Sequence, residues 1–323
     1  MATYKEIFGT NIEVLESDPS NPVEGQVWYN STDNVVKGAA ATTVGSWATG
    51  GNLNAARQGI RGSGIQTAAL GISGQGGAPT NVLTAATESY NGTSWTEVND
   101  VNTARSFAGA SGTQTSTLFF GGSAPTTAAT ESWNGTSWTS VTSLNTARNS
   151  LGGAGVDNTS ALAFGGSTNA TEAWNGSAWT EVNDLNTSRT GLGSNGIKDA
   201  ALAFGGEVPP KTAVTEQWNG TSWTEVADLN TAVSTGAGSG LYTDGLSFGG
   251  EGPSTTTANT ELWNGTSWSE QNNLSAARRQ LGGSTGTGSS SALAFGGETP
   301  GLSTATDEWT GAGAPLTVTF TDS

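Results

Sequence analysis

Residues 131–138 of this chain read Glu-Ser-Trp-Asn-Gly-Thr-Ser-Trp, and this segment decides the fold because it recurs. Close copies occupy residues 172–179, 216–223 and 261–268, and residues 88–95 carry Tyr in place of the first Trp. With a sixth, less similar segment included, the first aromatic recurs every 41 to 46 residues, as Tyr90, Trp133, Trp174, Trp218, Trp263 and Trp309. A period in the forties is typical of the blades of a β-propeller.

Each repeat unit is predicted to hold four short strands, which we label a, b, c and d in chain order. In the unit from residue 144 to 179, a small-residue stretch ends at Val156, residues 160–164 alternate apolar positions, and two further strands carry Trp174 and Trp179. Gly makes up 48 of 323 residues and no apolar stripe has helical spacing, which excludes a helical array. The Asn-Gly pair between strands c and d predicts a two-residue turn with positive φ at both positions.

The order of these marks resembles the kelch family. A double Gly closes strand b at residues 165–166, Trp174 lies on strand c, Trp179 opens strand d, and Arg189 precedes the next strand a. The resemblance covers residues 46–310 and implies a kelch-type β-propeller.

Two of the marks recur through the repeats with few exceptions. The double Gly begins at residues 76, 121, 165, 205, 249 and 296. The fifth unit has Val233 where an Arg is expected, so we expect that unit to pack differently at one end. The other units carry Arg57, Arg105, Arg148, Arg189 and Arg278.

Counting strands predicts how the repeats close. Six units supply strands a, b and c, but no Trp of the d type follows Trp309. The d-type residues are Trp47, Trp95, Trp138, Trp179, Trp223 and Trp268. The predicted fold is therefore an all-β, six-bladed kelch-like propeller with four strands per blade, closed by an N-terminal d strand near Trp47 in the last blade. Closure removes free sheet edges. The predicted parts are an N-terminal attachment segment (1–45), the propeller (46–311) and a C-terminal strand or tail (312–323).

Composition restricts the partners and the chemistry. The formal net charge is −16 with only 11 Lys and Arg residues, which argues against nucleic acid, because binding there depends on cations that neutralise phosphates. Cys and His are absent, so thiol chemistry is excluded and no cofactor or metal site is predicted. We find no secretory signal and no run of 18 apolar residues, so we expect synthesis in a host cytoplasm and no membrane insertion.

The repeated charges and aromatics have a structural interpretation and a binding interpretation. An acidic residue recurs before each strand-c aromatic, as Glu88, Glu131, Glu172, Glu216, Glu261 and Glu308. We expect each repeated Arg to pair with this residue or with carbonyls at the blade edge; the alternative is an Arg-lined anion site. We expect the repeated Trp residues to fill the wedge between blades; the alternative is a ladder on which sugars stack.

Enzyme chemistry has little support in the sequence, and no catalytic residue is predicted. Kelch-related enzymes of the galactose-oxidase type need a copper site of His, Tyr and Cys, and this chain has no His and no Cys. A sialidase needs clustered Arg residues, whereas the repeated Arg residues here stand one to a unit. A carboxylate pair for glycoside hydrolysis remains an alternative among 27 acidic residues, although no non-repeated cluster nominates one.

The N-terminal segment differs in kind from the repeats. Residues 22–33 read Pro-Val-Glu-Gly-Gln-Val-Trp-Tyr-Asn-Ser-Thr-Asp. This segment resembles a short hairpin motif found at the starts of bacteriophage virion and tail proteins, particularly those of marine phages, which implies a role in attachment; the alternative is a plain hairpin packed on the propeller. Because the C-terminal residues 316–321 alternate like a strand with one buried face, we expect both termini to form an assembly interface. Its predicted residues are Trp28, Tyr29, Val318 and Phe320.

The connections between strands b and c predict a ligand-binding face. They differ in length and hold most of the Pro residues, whereas the c–d turns repeat Asn-Gly-Thr-Ser. Discrimination between ligands needs non-identical side chains, which rigid scaffolds usually carry on variable loops. The predicted ligand-face residues are Pro79, Asn81, Pro125, Asn169, Pro209, Pro210, Lys211, Pro253 and Pro300.

These expectations combine into a non-enzymatic bacteriophage virion protein with a structural or adhesion role. We expect it to reside in the virion, within a multi-subunit assembly, and to bind other virion proteins and a host-surface glycan or protein. The alternatives are a free kelch-type binding module, such as a bacterial carbohydrate-binding protein, and, third, a glycan-active enzyme.

Overall fold

The structure is a computed structural model and describes residues 12–19, 25–41, 44–77, 82–286, 288–312 and 315–320. Every regular element in these ranges is a β-strand and none is a helix, as the all-β prediction requires. The chain divides into two compact units. One is Ser46–Thr310, and the other joins Met1–Gly45 with Gly311–Ser323.

The strands are short, and most of them span four or five residues. In chain order they are β1 (Glu13–Leu15), β2 (Val27–Asn30), β3 (Val35–Ala41), β4 (Ser46–Thr49), β5 (Arg57–Gln58), β6 (Arg61–Ile65), β7 (Ala68–Ile72), β8 (Gln75–Gly76), β9 (Val82–Leu83), β10 (Thr87–Tyr90), β11 (Trp95–Val98), β12 (Gly109–Thr113), β13 (Ser116–Phe120), β14 (Thr130–Trp133), β15 (Trp138–Val141), β16 (Gly152–Asp157), β17 (Ser160–Phe164), β18 (Thr171–Trp174), β19 (Trp179–Val182), β20 (Gly193–Ile197), β21 (Ala200–Phe204), β22 (Thr215–Trp218), β23 (Trp223–Val226), β24 (Ala237–Leu241), β25 (Asp244–Phe248), β26 (Thr260–Trp263), β27 (Trp268–Glu270), β28 (Gly282–Gly283), β29 (Ser291–Phe295), β30 (Thr306–Thr310) and β31 (Pro315–Phe320).

The larger unit repeats a four-stranded antiparallel sheet in a propeller-like arrangement. Sheets 1 to 5 take strands a to d in chain order and consist of β6-β7-β10-β11, β12-β13-β14-β15, β16-β17-β18-β19, β20-β21-β22-β23 and β24-β25-β26-β27. Sheet 6 is β28-β29-β30-β4, so its fourth strand comes from the other end of the unit. There β4 runs antiparallel to β30 with Trp47 opposite Trp309.

The first strands of successive sheets lie side by side, and β28 of sheet 6 also lies beside β6 of sheet 1. This close approach explains why strand a is rich in small residues. A Cβ atom at Gly62 would lie 2.2 Å from the carbonyl oxygen of Gly283, and one at Gly153 would lie 2.8 Å from that of Ala110. Larger side chains at these two positions would push neighbouring backbones apart.

Aromatic rings fill the space between neighbouring sheets. Phe164, which ends strand b of sheet 3, meets Trp223 of sheet 4 edge-on, with ring centroids 4.8 Å apart. Trp223 Nε1 then donates a hydrogen bond to Thr171 Oγ1 of sheet 3 at 3.0 Å. Each such ring pair adds about 0.5–1.5 kcal/mol to the gain from burial. The same contact recurs between Phe120 and Trp179, Phe204 and Trp268, Phe248 and Trp47, and Phe295 and Trp95.

The turn between strands c and d differs from the predicted two-residue turn. Trp133 pairs directly with Trp138, so four residues form the turn. Gly135 has a φ of 92°, whereas Asn134 does not adopt positive φ. Instead, Asn134 Oδ1 accepts hydrogen bonds from the backbone N–H groups of Thr136 and Ser137, both at 2.9 Å. Asn therefore serves here as an acceptor that closes an Asx turn.

Sheet 1 departs from the repeat where strand b ends. The residue after Ile72 is Ser73, with a φ of 55°, followed by Gly74 with a φ of 115°. The prediction that the double Gly at residue 76 closes strand b is therefore wrong. Ser73 and Gly74 take the place that Gly121 and Gly122 take in sheet 2. The Ser73 hydroxyl donates a hydrogen bond to a backbone carbonyl of the b–c connection, which ties the left-handed residue to its surroundings.

The smaller unit is a single sheet with the order β1-β2-β3-β31. Its strands β2 and β3 form the hairpin predicted around Trp28, and β1 adds to it in parallel. The C-terminal strand β31 runs antiparallel to β3 along its whole length. The sequence-based division treated residues 1–45 and 312–323 as separate parts, whereas the structure joins them in one sheet. The C-terminal strand thus finds its pairing edge within the chain.

Candidate ligand-binding face

The connections between strands b and c lie beside the connections that lead from strand d into the next strand a. Isolated β-bridges join the two kinds of connection, pairing Ser106 with Ser123, Thr190 with Glu207, Ser234 with Glu251, and Arg279 with Glu298. Because neighbouring strands are antiparallel, the a–b and c–d turns lie at the opposite ends of the strands. We call the surface formed by the first two kinds of connection the b–c face.

Beneath the b–c face, each of the five repeated Arg residues pairs with an acidic residue of strand c. The pairs are Arg57 with Glu88 at 2.6 Å, Arg148 with Glu172 at 2.9 Å, Arg189 with Glu216 at 3.0 Å, Arg105 with Glu131, and Arg278 with Asp307. All five guanidinium groups are buried and already have carboxylate partners. The alternative of an anion site lined by these five Arg residues therefore has no support.

Four of these Arg residues, all except Arg105, also donate hydrogen bonds to both ends of a b–c connection. Arg148 Nη1 donates hydrogen bonds to the carbonyl oxygens of Gly165, at 3.0 Å, and Ala170, at 2.6 Å, near the two ends of one connection. Burial lowers the pKa of Arg148, and the neighbouring Glu172 acts in the opposite direction. The buried ion pair thus anchors a loop whose tip faces solvent.

The acidic partner in sheet 6 is a correction to the sequence analysis. Arg278 pairs with Asp307, which lies two residues before Trp309, and not with the predicted Glu308. Glu308 accepts a hydrogen bond from the Tyr90 hydroxyl of sheet 1 instead, and so links sheets 6 and 1. Burial and this hydrogen bond raise the pKa of Tyr90 to about 12. Tyr replaces the usual Trp at the one position where this link is made.

Sheet 5 satisfies its buried carboxylate without an Arg. Val233 occupies the Arg position, and Glu261 accepts hydrogen bonds from the backbone N–H and side-chain Nδ2 of Asn230, at 2.8 and 2.9 Å. The backbone N–H of Thr231 adds a third, at 3.1 Å. Burial raises the pKa of Glu261, although these hydrogen bonds oppose the shift. This is the different packing that Val233 predicted for the fifth unit.

Most of the predicted ligand-face residues lie at the surface. Lys211 is half-buried, and Pro79 and Asn81 lie outside the described residues. The exposed ones are Pro125, Asn169, Pro209, Pro210, Pro253 and Pro300. The b–c face therefore combines exposed, non-identical loop tips with the repeated, buried Arg–carboxylate pairs beneath them.

A charged network crosses three sheets of this face and was not predicted beyond Lys211. Glu251 accepts a hydrogen bond from Lys211 at 3.3 Å and another from Arg279 at 3.0 Å, and Arg279 also reaches Glu298 at 3.0 Å. Burial acts to raise the pKa of Glu251, but the two cations outweigh it and the net shift is downward. The sequence does contain a pattern that could have predicted this network, because a Glu directly follows the double Gly in units four to six.

We expect this network to stabilise the protein only above acidic pH. Because the folded pKa of Glu251 lies below its ordinary 4.5, its contribution is complete above that pH and is lost as the pH falls through the folded value. Urea unfolding should show Glu251→Gln less stable than wild type by under about 1 kcal/mol at pH 6, since the pairs are partly exposed. The difference should decrease as the pH is lowered from 6 to 3. A difference that stays the same between pH 6 and pH 3 would contradict the assignment.

The repeated aromatic residues are not available for stacking on sugars. Except for Trp47, which is half-buried, every predicted blade Trp is at most 6% exposed. Trp47 packs against Phe248 and Trp309, with ring centroids 5.0 and 5.2 Å away. These rings stabilise the contacts between sheets, so a sugar cannot stack on them.

In the smaller unit, the predicted assembly residues have different environments. Trp28 is completely buried, so it is not available to a partner, and its Nε1 donates to Asp18 at 3.1 Å. Hydrogen bonds from Lys37 and Asn30 lower the pKa of Asp18 to about 2. Tyr29 is half-buried and Phe320 is 48% exposed, whereas the side chain of Val318 lies outside the described residues.

Comparison with known proteins identifies no family for this chain. No protein-family model matches it, and no curated protein matches it significantly. Within the described ranges, the structure has no helix long and apolar enough to cross a membrane. The same ranges contain no cluster of three or more His, Cys, Asp or Glu residues that could hold a metal ion.

Proposed function

We propose that Ser46–Thr310 forms a six-bladed, kelch-type β-propeller in which β4 closes the ring. Two observations support this: sheet 6 takes its fourth strand from β4, and the first strand of sheet 6 lies beside that of sheet 1. Closure in this way covers the sheet edges that an open array would leave free to pair with other chains. The sheets then correspond to blades in chain order.

The protein acts, in this proposal, as a non-enzymatic structural or adhesion component of a bacteriophage virion. The observation that carries the binding role is the b–c face, where exposed and non-identical loop tips stand on repeated buried ion pairs. Such an arrangement lets loop sequences change while the scaffold stays rigid. The partner on this side is a host-surface glycan or protein.

The smaller unit provides attachment to other virion proteins. Support comes from the resemblance of residues 22–33 to phage virion segments and from the exposed aromatic ring of Phe320. Trp28 contributes indirectly, because its burial and its contact with Asp18 stabilise the hairpin. Tyr29 and Phe320 are the residues placed to meet a partner.

Loop exchange tests the binding role. Replacing the tips at residues 124–126, 208–210, 253–255 and 300–301 by Gly-Ser linkers should reduce adsorption of particles to host cells at least tenfold. The melting temperature should change by only a few degrees, because the exchanged residues are exposed and the Arg–carboxylate pairs remain. The matched control substitutes Thr136 and Thr221 by Ala in the c–d turns on the opposite side. Loss of adsorption in the control alone would show that the partner binds the side of the c–d turns and not the b–c face.

Particle composition tests the virion assignment separately. The chain should be present in purified particles at a fixed copy number. Its absence from particles, combined with binding of isolated protein to glycans, would instead favour a free binding module.

A further inference from the structure

The ends of the first strands expose apolar side chains on the side of the larger unit opposite the b–c face. Ile65 of sheet 1, Val156 of sheet 3 and Leu241 of sheet 5 are 39%, 49% and 36% exposed. Ile197 ends strand a of sheet 4 and is half-buried. Sheet 2 ends strand a with the polar Thr113, so the fold does not require an apolar residue there. Grouped apolar side chains at a surface mark an interaction site.

Val156 is exposed at a β-bulge in strand a of sheet 3. Gly155 pairs with Ala161 and Asp157 pairs with Ser160, so Val156 is an extra residue without a partner on strand b. Strand a of sheets 1, 2, 4 and 5 pairs with strand b without such a residue. Bulges re-aim side chains and are over-represented beside functional sites. This departure from the repeat places an apolar side chain in solvent.

The same side carries little of the chain's net charge. Its c–d turns are uncharged. Near its a–b turns, the described residues include three acids, Asp157, Asp199 and Asp244, and one cation, Lys198, which sum to −2 against −16 for the whole chain. A high net charge keeps identical chains apart. Two copies therefore repel each other weakly if they meet through this side.

Backbone hydrogen bonds give the order of the sheets around the larger unit. One residue ahead of each strand a donates its N–H to the carbonyl oxygen of the corresponding residue in a neighbouring sheet, at 2.6 to 3.0 Å. These bonds run from Phe107 to Gly59, Ser150 to Phe107, Gly191 to Ser150, Thr235 to Gly191, Gln280 to Thr235 and Gly59 to Gln280. In this cyclic order, sheets 3 and 4 are neighbours and lie across from sheets 6 and 1.

We propose that a second copy of this chain docks on this side, about a two-fold axis that passes between sheets 3 and 4. Sheet 3 of each copy then lies opposite sheet 4 of the other. Val156 meets Ile197 of the second copy, and Lys198 meets Asp157 of the second copy. A two-fold axis repeats each contact, so four apolar side chains lie between two ion pairs.

Charge complementarity at these pairs fixes the register of the two copies. Lys198 Nζ contacts Asp199 of its own chain at 2.8 Å, but that pair is exposed and contributes little, so Lys198 remains available to the second copy. Standard interfaces bury roughly 800 Å² on each partner, so the contact extends to the exposed turns of sheets 3 and 4.

The contact is centred away from the junction with the smaller unit. That unit joins sheet 6 on the same side, next to Ser46 and Thr310, whereas the proposed contact is at sheets 3 and 4. The inference rests on the ring closure proposed above and does not depend on adsorption to a host. The crosslink formed by Ser46→Cys with Thr310→Cys tests closure separately. A chain that forms this crosslink but stays monomeric would refute the dimer and leave closure intact.

Analytical ultracentrifugation of the full chain at pH 7 tests the dimer. We expect the wild type to sediment at twice the 32.5 kDa of one chain. Val156→Asp places a charge in the apolar centre and should raise the dissociation constant at least tenfold. The matched control Val208→Asp changes an exposed Val of the b–c face and should leave the dissociation constant unchanged. Circular dichroism establishes that both variants are folded.

Charge reversal tests the register independently of Val156. Lys198→Glu and Asp157→Lys each create two like-charged pairs across the axis and should weaken the dimer at least fivefold. Combining them restores opposite charges and should recover most of the affinity. Lys198→Glu combined with Glu207→Lys, on the b–c face, has the same net charge as that double variant but should not recover it.

Three results would overturn the proposal. The first is a wild type that remains monomeric at its highest soluble concentration; if Val156→Asp then still prevents incorporation into particles, the surface binds a different virion protein. The second is a dimer whose dissociation constant is unchanged by a folded Val156→Asp. The third is equal recovery of affinity in the two double variants, which would show that net charge and not the two-fold pairing governs association.

Discussion

Replacing Glu216 by Gln is expected to lower the free energy of unfolding by about 3–5 kcal/mol, because it leaves the buried charge of Arg189 without its carboxylate. The two side chains are 3.0 Å apart and at most 1% exposed. A buried guanidinium that loses its partner cannot recover hydration without opening the sheet. Urea unfolding at pH 7 measures the loss.

Sheet 5 supplies a matched control for this prediction. Glu261 has nearly the same contacts with Asn230 that Glu216 has with Asn186, whose N–H and Nδ2 donate at 2.7 and 2.9 Å, but it faces Val233 where Glu216 faces Arg189. Burial raises the pKa of Glu261, so the ionised carboxylate is already less favourable there than in water. Glu261→Gln should therefore cost only about 1 kcal/mol. Equal losses in the two variants would show that the ion pair is not what stabilises the repeat.

A disulfide between positions 46 and 310 is expected to produce the other large effect. Ser46 and Thr310 are direct partners on β4 and β30, and facing residues of antiparallel strands are about 4.5–5.5 Å apart, within the range that a disulfide spans. The chain has no Cys, so Ser46→Cys with Thr310→Cys forms one defined crosslink. It closes a loop over the whole larger unit and should add about 5 kcal/mol to the free energy of unfolding.

A short-loop disulfide gives the comparison. Ser132→Cys with Thr139→Cys joins facing residues of β14 and β15 within sheet 2 and closes a loop of only a few residues. The long-loop variant should gain about 3 kcal/mol more than this one, and both gains should disappear on reduction with dithiothreitol. Equal gains, or failure of positions 46 and 310 to crosslink, would argue against closure of the ring by β4.

Much of the repeat architecture follows from local chemistry that a single sequence displays. The alternating apolar residues of strand b, the Trp residues on strands c and d, and the recurrent Arg and acidic positions all lie within one period. Their interactions lie within one sheet or between neighbouring sheets, so the period of the pattern is also the period of the contacts. The different packing around Val233 could be predicted for the same reason.

Small departures from the repeat were misjudged where a different residue takes over a structural role. Ser73 adopts the left-handed conformation that Gly adopts in the other sheets, so the double Gly further along the chain does not mark the end of strand b. Asp307 replaces Glu at the ion pair, and the neighbouring Glu308 drew attention away from it. In each case the residue stands at the position that the repeat spacing requires. Only the backbone register in the structure shows which residue occupies that position.

By itself, the sequence determined the all-β class, the four-stranded repeat and the pairing of repeated charges, because these depend on contacts within and between successive repeats. Tertiary structure alone decided that the C-terminal strand pairs with β3 and that Glu308 meets Tyr90. These groups are far apart along the chain, and no periodic pattern records their distance. They meet because folding brings strands from the two ends of the chain against one another.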